Sequence, residues 1–250
     1  MAEKISATII CHNEKKHIRD CIKSLGFCDE IVVVDSFSVD GTGEIARSMG
    51  CMVVQREYKG TNDQKEFART LAAGPWVFNI DGDEIASEGL GKELVSAIEK
   101  GGYSAFSVPF VSYFGEDRIA FGRFGGERHV RVFKKGVSRY DTATEPHDRL
   151  MVEGKTGKLF KPIIHYSYED FEDAEEKSER YARLAAGKLG GKGKRPTLFS
   201  QFLNPSWRFF RQFFLKLGFL DGRLGYKMAM LSAREGYLKY KLARDIKYKT

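Results

Sequence analysis

A chain of 250 residues, 42% hydrophobic and 13% aromatic, can bury the core of one sizeable α/β domain that carries a shorter extension. No stretch approaches the roughly 20 uncharged apolar residues that a spanning helix needs, and MAEKISATIICHNE lacks an apolar h-region, so a cytoplasmic protein is expected. Cys11, Cys21, Cys28 and Cys51 lack CxxC spacing and a histidine placed to complete a zinc site, which predicts free, mostly buried thiols; the formal charge of +7 invites a nucleic acid, an anionic membrane surface or a phosphorylated substrate.

In chain order, ISATIIC (5–11) and EIVVVD (30–35) read as strands, and KKHIRDCIKSL between them sets Ile18, Cys21, Ile22 and Leu25 at helical spacing. SVDGTGEIARSMG follows as a helix opened by Asp40, CMVVQ as a strand, NDQKEFARTLAAG as a helix closed by Gly74, and PWVFNI as a fourth strand. Alternation at this interval implies an α/β fold with a mainly parallel sheet covered by helices on both faces. Ligands of such sheets bind beyond the carboxyl ends of the strands, which singles out the polar loops 12–15, 35–40 and 81–84.

After a helix near 90–100, YSAFSVPF and ERHVRVFK read as strands on either side of the Gly- and aromatic-rich SYFGEDRIAFGRFGG. GKLGGKGKRPT (187–197) has the composition of a flexible linker. Of two helices beyond it, the first sets Trp207, Phe210, Phe214 and Leu217 on one stripe and Arg208, Gln212 and Lys216 on another. The second carries Met230, Ala233, Tyr237 and Tyr240 among many Lys and Arg. The basic excess lies largely between Lys188 and Lys249, so this extension suits either an anionic membrane surface or packing on the rest of the chain.

The strongest chemical signal is Asp81-Gly82-Asp83-Glu84 directly after WVFNI. Two carboxylates one residue apart at the end of a parallel strand can face a divalent cation, and Mg²⁺ or Mn²⁺ is held by few carboxylates together with phosphate oxygens. Asp35 ends a buried strand, where its carboxylate can accept a hydrogen bond from a nucleobase N–H, whereas Asp40 reads as a helix cap. Nucleic-acid binding would explain neither the parallel-sheet pattern nor carboxylates at strand ends, and is not expected.

These segments resemble family 2 of the inverting glycosyltransferases, which adopt the GT-A fold. ATIICHNEKKHIRDCIKSL, the stretch from Asp35 to Thr42 and GPWVFNIDGDE carry the resemblance, which spans residues 5 to about 170. QKEFARTLAAGPW, HYSY and GFLDGRLGY look most like the cytoplasmic transferases of lipopolysaccharide core assembly. The resemblance implies a GT-A catalytic domain over 1–186, with a nucleotide-binding half (1–100) and an acceptor half (101–186), then the linker 187–197 and an amphipathic helical extension 198–250.

It further implies a nucleotide-sugar donor, UDP-linked by preference, a glycan or lipid-linked acceptor, a divalent cation (Mn or Mg) and a cytoplasmic protein that could sit peripherally on the inner membrane. Ile10, His12, Asn13 and Glu14 would border the base and ribose, Asp35 would pair with uracil, and Asp81 would approach the ribose or donor sugar. Asp83 would ligate the metal, joined by His165, which in PIIHYSY follows a short apolar strand. Lys65 and Glu66 stand where the family has Arg followed by Asn; Lys65 could meet a phosphate or the base, and Glu66 departs from the pattern. Asp148 is the aligned general base, with Glu145 as the second candidate. A catalytically weak nucleotide-sugar-binding protein stays open as an alternative; a sugar nucleotidyltransferase is disfavoured, because its Gly-rich, Arg-containing first loop is here CHNEKKH.

Overall fold

The computed structural model describes residues 3–143, 149–191 and 197–245. Strand β1 (Ile5–Cys11) leads into α1 (Ile18–Ser24), β2 (Glu30–Asp35), α2 (Thr42–Ser48), β3 (Met52–Gln55), α3 (Thr61–Leu71), β4 (Trp76–Asp81), β5 (Glu84–Ala86) and α4 (Leu90–Lys100). There follow β6 (Ala105–Phe114), β7 (Asp117–Ile119), β8 (Arg128–Lys134), β9 (Ser138–Tyr140), β10 (Leu150–Val152), β11 (Thr156–Lys158), β12 (Ile163–Tyr168), α5 (Phe171–Gly191), α6 (Leu198–Phe210) and α7 (Gly222–Asp245). The chain groups into two compact units: Met1–Phe110 with Glu127–His165, and Val111–Gly126 with Tyr166–Thr250.

In the first unit β3, β2, β1 and β4 lie side by side, all parallel, as the alternation of apolar runs and helices requires. Because successive residues of a strand face opposite ways, Trp76, Phe78 and Ile80 of β4 join the larger core with Ile18 of α1 and Leu94 of α4, while Val77 joins a second cluster with Ala72 and Phe133. Both faces of the sheet are therefore covered. Beyond β4 the sheet turns mixed: β8 pairs antiparallel with β4, and β6 antiparallel with β8 with a bulge at Phe106/Ser107. β5 pairs antiparallel with the start of β12. Helix α3 differs from its neighbours in what it buries: Asn62, Gln64 and Lys65 lie inward beside Ala68. A polar inward face on a helix that flanks a parallel sheet marks where burial serves something other than packing.

Several expected boundaries move. Helix α1 starts at Ile18, the first residue of its apolar spacing, whereas α2 starts at Thr42 behind Gly41, whose φ of 95° is left-handed. Asp40 thus lies one residue before the cap position; its carboxylate accepts from the Thr42 N–H at 3.0 Å and from the Lys15 N–H at 2.9 Å, joining two loops rather than only opening a helix. The expected linker is helical as far as Gly191, since YARLAAGKL is rich in helix formers that carry α5 through Gly187; positions 192–196 lie outside the described residues.

The second unit is built on Phe114, Ile119, Phe124, Tyr168 and Leu231, with α7 packed against both α5 and α6. The Asp221 carboxylate, ahead of α7, accepts from the Phe121 N–H at 2.9 Å. Helix α6 meets α7 through its polar stripe: Gln201 is buried, Arg208 donates to Glu235 at 2.8 Å and to Ser232 at 3.3 Å, and Gly236 leaves room for the Arg208 stem. The aromatic stripe faces the other way, with Trp207 54%, Phe210 44% and Phe214 48% exposed. No helix of the described residues is long and apolar enough to cross a membrane.

Candidate active site

The carboxyl ends of three adjacent parallel strands set the frame. Register places Asp35 beside Cys11 on one side of β1 and Asp81 beside Ile10 on the other, so the two acidic residues flank the strand that leads into loop 12–15. That loop is fastened to the loop after β2. His12 Nδ1 donates to the Ser36 carbonyl at 2.9 Å, the Asn13 N–H to Ser38 Oγ at 2.8 Å, and the Glu14 N–H to Thr42 Oγ1 at 2.8 Å. Asn13 adopts a φ of 57°, in the left-handed region that asparagine accepts more readily than most residues, and its Oδ1 accepts from the Val39 N–H at 2.9 Å. Asp35, 1% exposed, anchors the second loop by accepting from the Ser38 N–H at 3.0 Å and Ser38 Oγ at 2.5 Å; its Oδ2 takes a 3.5 Å contact from Gln55.

Below this frame lies a charge cluster. Lys65, 1% exposed on the polar face of α3, stands 3.1 Å from Asp81. Arg131 of β8, 6% exposed, reaches Asp81 at 3.2 Å, Glu84 at 2.6 Å and the Asn79 Oδ1 at 3.2 Å, with its guanidinium over the Phe110 ring. Burial alone would raise the Asp81 carboxyl, but Lys65 and Arg131 outweigh it and hold it well below the usual carboxylate range. Burial dominates at Glu84, pushed up to about 6 despite Arg131. Glu84 also accepts from the Asp81 N–H at 2.9 Å, closing the turn.

Asp83 meets a histidine of β12. Antiparallel pairing sets His165 opposite Glu84, which brings the His165 Nε2 to 3.4 Å from the Asp83 carboxylate. Burial would lower the imidazole; the hydrogen bond and charge of Asp83, with Glu84 and Asp81 behind, raise it to about 9. Both side chains keep solvent access, 21% for Asp83 and 27% for His165. His165 lies within β12 and not after a strand as the sequence suggests, because IIHYSY continues the strand through the histidine. The donor set fits a hard divalent cation only where the cation displaces the imidazole proton: one carboxylate and one imidazole that reach solvent, beside an Asp81 already neutralised by two cations. Among the described residues no group of three or more His, Cys, Asp or Glu could hold a metal, so further donors would be oxygens of a bound ligand.

The structure brings together Ile10, Lys65, Asp81, Asp83 and His165, and gathers His12, Asn13 and Glu14 against the loop that Asp35 anchors. Asp148 and Glu145 lie outside the described residues. The segment that resumes at Arg149 is tied to α3, since the Arg149 N–H donates to Asn62 Oδ1 at 3.1 Å, three positions before Lys65, and the Arg149 side chain pairs with Asp141 at 3.4 Å. Glu66 does not line the site: it clamps Arg69 at 2.6 Å and accepts the Tyr140 N–H at 2.9 Å, fastening β9 to α3. Arg131 escapes a reading of the sequence. Its signal is an arginine flanked by Val130 and Val132 in a buried strand, where a cation stays only if carboxylates meet it. All four cysteines are free thiols; Cys11 and Cys21 are buried, which pushes both thiols up.

Comparison with known proteins points the same way. The lipopolysaccharide core biosynthesis glycosyltransferase LpsC of Rhizobium meliloti is 29% identical over 255 residues, covering 95% of this chain and 93% of that protein. An uncharacterized glycosyltransferase of Rickettsia conorii is also 29% identical, over 100% of this chain and 93% of its own length. Among solved structures, S. aureus TarS 1-349 superposes with a TM-score of 0.51 at 15% identity, covering 99% of this chain and 93% of that one, a likeness that bears on the fold alone. The family model for glycosyl transferase family 2 matches residues 6–148, more than half of the chain, which therefore belongs to that family and is a glycosyltransferase of the GT-A fold.

Proposed function

We propose that the enzyme moves a hexose from a nucleotide sugar, UDP-linked by preference, to a hydroxyl of a glycan or lipid-linked acceptor in lipopolysaccharide or other cell-envelope glycan assembly, at the cytoplasmic side of the inner membrane. The relative named for lipopolysaccharide core biosynthesis supports the pathway class. The single observation that carries the chemistry is the solvent-reaching pair Asp83 and His165 beside the Lys65–Asp81–Arg131 cluster at the strand ends.

Asp83 and His165 would hold a Mn²⁺ or Mg²⁺ ion, which when bound neutralises charge on the diphosphate. Lys65 and Arg131 keep Asp81 ionised and fixed, so that it meets the ribose or donor sugar as an acceptor of hydrogen bonds. Asp35 takes the uracil N–H, while Ile10, His12, Asn13 and Glu14 border the base and ribose on a loop already ordered by its cross-links. Asp148, or failing it Glu145, removes the proton from the acceptor hydroxyl. That oxygen attacks the anomeric carbon as the bond to the phosphate oxygen breaks, inverting the centre and releasing the nucleoside diphosphate.

The test is a panel of UDP-, GDP-, ADP- and dTDP-sugars with Mn²⁺, scored for binding and for slow release of the nucleoside diphosphate. UDP-hexose should be favoured, and Asp83→Ala should lose at least about a hundredfold in turnover, the scale of removing one electrostatic contributor. Full turnover in Asp83→Ala would overturn the metal assignment.

A further inference from the structure

Helix α6 is amphipathic in the inverse sense for a helix in water. Its polar positions Gln201 and Arg208, and Gln212 in the turn after it, lie inward, with Arg208 bonded to Ser232 and Glu235 of α7. Its large apolar side chains turn outward: Phe199 is 72%, Phe202 60%, Leu203 50% and Trp207 54% exposed, and the row continues through Phe210 and Phe214 into the π-helical turn Arg211–Leu215. A contiguous aromatic face of this kind on a soluble surface is costly unless something covers it.

Charge says what does. From Thr197 to Leu220 the sequence has no Asp or Glu, and its charged residues are Arg208, Arg211 and Lys216. Arg208 is engaged with Glu235, while Arg211 and Lys216 are exposed beside the aromatic row. Exposed Arg223 and Lys227 follow at the start of α7. A second copy of the same face would set these cations against one another, whereas anionic headgroups satisfy them and acyl chains take up the aromatics.

We propose that the outward face of α6 and the turn after it is a docking surface for an anionic phospholipid bilayer, on which the chain lies at the headgroup boundary without crossing. This rests on the membrane-side location in the functional reading and gives it a surface: Phe199, Phe202, Trp207 and Phe210 enter the boundary, and Arg211 and Lys216 hold the headgroups.

The protein reports on itself, because it has two tryptophans and Trp76 is 1% exposed, leaving Trp207 as the one that can change surroundings. Full-length protein, with neither donor nor acceptor, is mixed at low salt with vesicles of phosphatidylglycerol and phosphatidylcholine, or of phosphatidylcholine alone. A blue shift of Trp207 emission and quenching by brominated acyl chains are expected with the anionic vesicles. Arg211→Gln with Lys216→Gln should weaken binding about 25-fold, at roughly fivefold per basic residue near an anionic surface. Phe199→Ser with Phe202→Ser should abolish it while circular dichroism stays unchanged, since both rings are exposed. Trp207→Phe should still sediment with vesicles but lose the emission change. No co-sedimentation at low salt overturns the proposal, as does a concentration-dependent dimer, dissolved by the Phe199/Phe202 variant, in a protein that ignores vesicles. Nucleoside diphosphate release is measured without vesicles, so failure of the docking surface and failure of the transferase reading are separate results.

Discussion

Arg131 shows how much a single residue can settle. Two carboxylates, Asp81 and Glu84, share its guanidinium at 3.2 and 2.6 Å, while Lys65 supplies the second positive charge from α3. Removing one partner from a buried ionic cluster leaves uncompensated charge, which costs about 3–5 kcal/mol. Arg131→Met should therefore lower unfolding free energy by about that amount in a denaturant titration, and a loss below about 1 kcal/mol would mean that Lys65 alone balances the cluster. The carboxylates here were legible because they fall within four positions, 81–84, at the end of an apolar run. Arg131 was not, because it lies 50 positions from Asp81 and only the β4–β8 pairing brings the two together. Glu66 was legible as a departure, but its role was not: its partner Tyr140 N–H belongs to β9, 74 positions away.

Among the elements, those set by local periodicity could be read directly. β1, β2 and β4 end within a residue of where their apolar runs predict, since strand and helix periods there do not compete. Long-range pairing could not be read, so His165 seemed to follow a strand when it sits inside β12 against β5. Nor could the orientation of α6: a stripe pattern tells which residues share a face, not which face meets the neighbouring helix. The turn after β4 carries a testable consequence of close packing. A Cβ at Gly82 would come within 3.0 Å of both the Cys11 Cβ and the Glu14 Cγ, on the strand and loop that border the proposed base site. Overpacking of this kind costs about 1–3 kcal/mol. Gly82→Ala should lower the melting temperature and, by displacing loop 12–15, raise the KM for the donor more than it lowers kcat. An unchanged KM would separate that loop from donor binding.

At the scale of the whole molecule, the site exists only in the folded chain: Asp35, Lys65, Asp83, Arg131 and His165 come from five separate elements or turns of the first unit. A ligand that needs them together binds the native state alone and stabilises it by mass action, about 2.7 kcal/mol at a hundredfold excess over its Kd. For chains of this size each kcal/mol raises the melting temperature by about 2–4 °C, so saturating UDP with Mn²⁺ should shift the transition of the first unit by about 5–11 °C. Three arms give the shift its meaning. UDP without the cation should produce a smaller shift, because Lys65 and Arg131 are already committed to Asp81 and leave the diphosphate less well neutralised. In Asp83→Ala the increment due to Mn²⁺ should vanish while the shift from UDP alone persists. A second transition that ignores both ligands would report the unit of α5, α6 and α7 unfolding separately, since none of the proposed donor-binding residues lies there. An Asp83→Ala protein with the full Mn²⁺ increment would move the cation away from the turn after β4 and leave the acidic cluster to a structural role.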